Sequence, residues 1–81
     1  MILNDELENQ LASCEGVAYA KVLGDGYHYQ VIIVSDAFLN KSKVARQQWV
    51  YSRINEHIAS GSLHALTMQT FTNDEWEKKN G

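Results

Sequence analysis

The chain has 81 residues, 44% of them apolar and 21% charged, with no proline and a net charge of −3. That length sets the expectation of one domain over 1–81 and leaves little room for a private catalytic cavity. The composition excludes a disordered chain, no apolar run approaches the roughly 20 residues of a membrane span, and the acidic balance argues against a general nucleic-acid binder.

A single cysteine, Cys14, excludes an internal disulfide and a self-contained thiolate metal centre. The first residues are acidic and lack a basic stretch followed by an apolar run, so no leader peptide is expected. The expected compartment is reducing and cytoplasmic.

Asn4 reads as an N-cap, with Asp5 and Glu6 in the first turn where the helix dipole favours acids. Leu3, Leu7, Leu11 and Cys14 then recur at helical spacing, and the helix is expected to stop near Glu15-Gly16. Cys14 reads as a small buried hydrophobe rather than a reactive thiol. Val17–Val22 reads as a strand and Gly24-Asp25-Gly26 as a tight turn. Tyr27–Val34 is a second strand, and its run Val31-Ile32-Ile33-Val34 fits a central strand flanked by neighbours. Ser35–Lys41 connects, with Asn40 suited to a left-handed turn.

A long helix is expected from about Ser42 to Ser60, ended by Gly61. Its apolar stripe is assigned to Val44, Tyr51, Ile54 and Ile58 with Val50 beside it, while Arg46, Trp49 and Arg53 form another stripe. His57 falls off the apolar stripe and is expected to be exposed. Leu63–Thr70 is a third strand, and strand–helix–strand implies a crossover and parallel pairing. Thr72-Asn73-Asp74-Glu75 is a capping box, and Phe71 with Trp76 is a hydrophobic staple, so residues 73 to about 79 form a short helix with Trp76 as a packing anchor. The sum is an α+β fold of order α-β-β-α-β-α with a three-stranded mixed sheet, the arrangement of a small class II K-homology-like domain.

Enzyme chemistry finds no support. The chain has no G-x-S-x-G, no P-loop and no H-E-x-x-H, and the glycines at 24 and 26 are followed by no helix that could make them a dinucleotide fingerprint. Among soft ligands, His28 and His64 stand at the starts of the second and third strands. If those strands are parallel neighbours, both imidazoles emerge from one edge of the sheet and can supply half of a metal site completed by a partner. Each alone reads first as a strand-end residue bonded to backbone. The segment 41–53 carries Lys41, Lys43, Arg46 and Arg53 with Trp49 and no acid, which suits a protein or nucleic-acid contact as well as a solvated helix face. The G-x-x-G loop by which K-homology domains grip nucleic acid is absent.

Three segments carry a resemblance. Residues Val34-Ser35-Asp36-Ala37-Phe38 through Lys41-Ser42-Lys43-Val44-Ala45-Arg46 to Val50-Tyr51 resemble the V-S-D-x-F-x-G-K-S-x-V-x-R pattern of the BolA family. His64-Ala65-Leu66 through Thr70, Thr72, Glu75 and Trp76 resemble its second hallmark, H-A-L-x-x-x-T-x-T-x-x-E-W, and Gly24–Val31 resembles the short hairpin of the IbaG-type subgroup. The likeness runs from residue 17 onward. It implies a K-homology-like adaptor without enzymatic activity, concerned with iron–sulfur trafficking or with iron and stress regulation. It further implies pairing with a monothiol glutaredoxin and a glutathione-dependent [2Fe–2S] cluster held by both, with no cluster in the chain alone.

By the same resemblance His64 is a cluster ligand and the hairpin supplies a second. The family's hairpin ligand aligns near Asp25, a hard oxygen donor unsuited to a cluster, so His28 is the nearest soft substitute. Asn40 replaces a usual glycine, and Gln47-Gln48-Trp49 alters the exposed helix face. Some family members regulate transcription, so nucleic acid is the alternative partner, met through Lys41, Lys43, Arg46, Trp49 and Arg53. No membrane contact is expected, and the chain alone is expected to be a monomer or weak homodimer.

Overall fold

The computed structural model describes residues 2–80, so the outermost residue at each end of the expected 1–81 domain lies outside that range. The elements run α1 (Asn4–Ala12), β1 (Val17–Gly24), β2 (His28–Ser35), a 3-10 turn (Asp36–Phe38), α2 (Lys43–Ala59), β3 (Ala65–Phe71) and α3 (Asn73–Asn80). The sheet order is β1-β2-β3, with β1 antiparallel and β3 parallel to β2. This is the expected α+β architecture, with the apolar run of β2 at the sheet's centre.

Alternation along the strands sorts the sheet into two faces. Ala20, Val22, Tyr29, Val31, Ile33 and Met68 point to one face and join Leu7 and Leu11 of α1 and Val50 and Ile54 of α2 in the core. Ile2, Phe38 and Leu63 close it at the rims. The buried Tyr29 hydroxyl donates to the Ile2 carbonyl at 2.6 Å, which satisfies the one polar atom the ring carries inward. On the other face, Lys21, Gln30, Ile32, Thr67 and Gln69 line an open surface, and Leu23 beside them is half exposed.

Two helix expectations are corrected. Asn4 is not the N-cap of α1. Leu3 holds that position without a side-chain cap, and the Asn4 amide instead donates across to the Gly24 carbonyl at 3.2 Å. A side chain spent on that long-range bond is unavailable for the local one. The helix also ends at Ala12, three residues early, with Leu3 exposed and Ile2 buried in its place. Cys14, expected buried, is half-buried, with its thiol on the Gln10 carbonyl.

The buried ridge of α2 is Val50 and Ile54, whereas Val44, Tyr51 and Ile58 are exposed. Trp49 packs edge-on against Phe38 at 5.3 Å between ring centroids. The inward ridge continues at i, i+4, i+8 and i+11 from Arg46 to His57, so its two ends are polar and its apolar signal is short. His57, expected exposed, is half-buried, with Nε2 2.6 Å from Gln10 Oε1. Ile54 itself has non-helical angles (φ −127°, ψ 16°), and Gln10 Nε2 donates to the neighbouring Arg53 carbonyl at 3.0 Å. Ile58, one turn beyond this bend, is 39% exposed.

The turns follow their chemistry. Asn40 adopts φ 62°, the left-handed region that its short amide tolerates. Gly24 has no room for a side chain, since a Cβ there would lie 2.8 Å from the His28 carbonyl oxygen and 2.9 Å from the Tyr29 ring.

The last helix is held by the capping box and by two long-range contacts. Thr72 Oγ1 accepts from Glu75 N–H at 3.2 Å, and Glu75 Oε1 accepts from Thr72 N–H at 2.8 Å. Trp76 packs on Phe71 and stacks on Tyr19 of β1, each at 5.3 Å, which covers one end of the open face. Asp36 accepts from the Asn73 backbone and amide, both at 3.1 Å. Arg46 grips Glu75 through two bonds of 2.7 and 3.2 Å, and its guanidinium also donates to the Lys41 and Thr70 carbonyls.

Two outcomes follow from this packing. Ile33→Ala opens the core and should cost about 2–5 kcal/mol in urea denaturation, whereas Leu23→Ala on the open face should stay within about 0.5 kcal/mol. The Arg46 guanidinium, helped by the Thr72 N–H, pulls the Glu75 carboxyl down from 4.5 to about 2. A carboxyl lowered on folding stabilises above its unfolded value and loses that contribution as pH falls. The stability gap between the native chain and Glu75→Gln should therefore hold steady near neutrality and shrink between pH 4.5 and about 2. A gap independent of pH would contradict the pairing.

Candidate functional site

The sheet end at the β1–β2 hairpin carries the two sequence-predicted histidines. In the parallel ladder His28 pairs with Ala65, and the Ala65 N–H donates to the Tyr27 carbonyl at 3.3 Å. His64 therefore falls in step with Tyr27, and their rings lie 6.1 Å apart at 32°. His28 opens β2, and Tyr27 and His64 lie one residue ahead of β2 and β3. The two imidazoles thus stand at one end of the sheet, as anticipated. His28 is 80% exposed at its side chain, and His64 is exposed.

The hairpin is an Asx turn built on Asp25. Its Oδ1 accepts from the N–H groups of Tyr27 and His28, both at 2.9 Å, and these backbone donors, His28's first, hold the carboxyl below its usual range. Its other oxygen lies 3.9 Å from His28 Nδ1. Asp25 thus has a structural task at the place where the family resemblance puts a ligand.

The other soft donors are elsewhere or engaged. His57 is tied to Gln10. Cys14 precedes β1 at the far end of the sheet: from Gly24↔Tyr29 to Val17↔Ser35 the ladder runs seven residues along β1, about 23 Å at 3.3 Å per residue. Among the described residues no group of three His, Cys, Asp or Glu can hold a metal ion. Among the described residues the hairpin end offers two exposed imidazoles, fewer donors than a self-contained metal centre needs.

The basic segment divides. Lys41, Lys43 and Arg46 line a groove of about 500 Å³ against Met68, Gln69 and the start of α3. Within it Arg46 is only 14% exposed and neutralised by Glu75, and the Lys41 ammonium donates to the Ala37 carbonyl. Trp49 is turned inward, and Arg53 lies over its ring at 4.3 Å, donating to Ser52. Of the five predicted contact residues, Lys43 alone enters no side-chain hydrogen bond, ion pair or ring contact among the described residues. The Arg46–Glu75 pair escaped sequence reading because its partners are 29 residues apart and no local pattern links them.

No helix of the described residues is long and apolar enough to cross a membrane. The family model for BolA-like proteins matches residues 3–75. The acid stress protein IbaG of Escherichia coli K12 is 36% identical over 75 residues, 93% of this chain and 89% of that protein. The DNA-binding transcriptional regulator BolA of the same strain is 26% identical, over 95% of this chain and 82% of its own length. Among solved structures, a BolA-like protein from Babesia bovis superposes with a TM-score of 0.83 at 32% identity, covering 100% of this chain and 96% of its own. These relatives are named as a stress protein and a regulator, and no enzymatic family is indicated. Sequence motifs, strand order and family model agree, and the chain belongs to the BolA-like family.

Proposed function

We propose that this chain is a non-enzymatic adaptor of the cytoplasm that pairs with a monothiol glutaredoxin and lends His64 to a [2Fe–2S] cluster, serving iron–sulfur trafficking or iron and stress regulation. Glutathione and the glutaredoxin would supply thiolates, and His28 is the hairpin's soft donor for the remaining position. The observation that carries this reading is the state of His64: an exposed imidazole at the start of β3, with no hydrogen bond to its ring among the described residues. When bound, such a cluster supplies one-electron capacity and a transferable iron–sulfur unit, and imidazole ligation raises its potential relative to all-thiolate ligation.

What the chain itself contributes is geometry. The β2–β3 ladder sets His64 beside the hairpin, and the Asp25 turn fixes the hairpin's shape. Membership in the BolA-like family supports the same reading. The nucleic-acid alternative draws on the name of the Escherichia coli BolA relative. Against it, Arg46 is spent on Glu75 and Trp49 on the core.

The test is anaerobic reconstitution of the chain with a monothiol glutaredoxin, glutathione, iron and sulfide, followed by visible absorption and circular dichroism. The mixture should give a spectrum different from that of glutaredoxin alone. His64→Ala should return it to the glutaredoxin-only form, and His28→Ala should alter it. A normal joint spectrum with His64→Ala would contradict the proposal, and salt-dependent oligonucleotide binding lost in Lys43→Ala would then favour the alternative.

A further inference from the structure

Tyr27 is an aromatic side chain with nothing to gain from the core: it is 70% exposed. Its backbone is nonetheless held at both ends. Its N–H donates to Asp25 Oδ1 at 2.9 Å, and its carbonyl accepts from the Ala65 N–H at 3.3 Å. One bond comes from the turn within its own hairpin, the other from the residue that follows His64. The ring lies 6.1 Å from the His64 imidazole, at a tilt of 32°, within the range of about 4.5–7 Å at which aromatic rings attract.

We propose that Tyr27 is a positioning residue for His64: the Asp25 turn mounts its ring as a side wall that confines the imidazole to one rotamer. This rests on His64 being the lent ligand, and it adds two residues to that task. It also gives Asp25 a part in ligation without donating an electron pair. At the position where the family resemblance puts a ligand, this chain has the carboxylate that shapes the turn beside His64. A histidine on an exposed strand end otherwise samples three χ1 wells. Confinement to one of them raises the competent fraction by up to about threefold.

The experiment has two arms. In the chain alone, scalar couplings and ring-current shifts of His64 are measured by NMR for the native chain, Tyr27→Ala, Tyr27→Phe, Asp25→Ala and Asp25→Asn. The native chain should show one dominant His64 rotamer. Tyr27→Ala and Asp25→Ala should average it, while Tyr27→Phe keeps the wall and Asp25→Asn keeps an oxygen acceptor, so both should preserve it. Unchanged amide shifts in the middle of the sheet, at Val31–Ile33 and Met68–Thr70, separate this from unfolding, since a merely structural loss would move them. Identical His64 couplings in Tyr27→Ala and the native chain would overturn the proposal.

In the second arm, the joint cluster with glutaredoxin and glutathione should decay up to about threefold faster with Tyr27→Ala than with Tyr27→Phe. Equal decay would overturn the link to ligation. Should His64→Ala leave the joint spectrum unchanged, the ligand reading itself fails, whereas the rotamer result in the first arm still decides whether Tyr27 confines His64.

Discussion

The layout of the hairpin end depends on where β3 docks along β2. A parallel pair cannot slip by one residue without turning Met68 out of the core and bringing Thr67 and Gln69 in, so burial of one face pins the register. The same register decides that Ala65 bonds to Tyr27 and that His64 stands beside the Tyr27 ring. Hydrophobic packing in the middle of the sheet thus sets the placement of an exposed imidazole at its end. The hairpin joins in through Asp25, whose carboxylate caps two N–H groups and shapes the turn.

The opposite end of β3 is anchored differently. There the short helix α3 buries none of its residues fully and depends on Trp76 against Phe71 and Tyr19, on Asp36, and on the Arg46–Glu75 pair. These contacts consume the cation that made the basic segment look like a recognition surface. Charge counted along a sequence is not charge available to a partner, because one guanidinium here serves two backbone carbonyls and a carboxylate. The molecule is consequently polarised: one sheet end carries exposed imidazoles, and at the other Arg46 is already engaged in holding the fold.

Local signals were legible in the sequence. The Thr72–Glu75 capping box, the Phe71–Trp76 staple, the Asp25–Gly26 hairpin and the left-handed Asn40 all rest on neighbours within a few residues, and all appear as read. The strand order was legible too, because strand–helix–strand admits few connections. The inward face of α2 was legible only in part. Its ridge begins at Arg46 and ends at His57, each satisfied by hydrogen bonds, so the apolar pattern marks the buried Val50 and Ile54 but extends to the exposed Val44, Tyr51 and Ile58. Asn4 was misread for a related reason, since its amide found a partner 20 residues away. At the site, both histidines could be placed at one sheet end, but the meeting of His64 with Tyr27 requires the register, which no sequence pattern states.

Two surfaces compete as the face this chain presents: the hairpin end with His64, and the groove beside Lys41 and Lys43. The most direct measurement is amide shift mapping of the isotope-labelled chain titrated with a monothiol glutaredoxin and glutathione. The account predicts perturbations concentrated at Asp25–His28 and His64–Leu66, with Lys41–Arg46 little changed. Perturbations confined to Lys41–Arg46 and the groove, with the hairpin end silent, would contradict it.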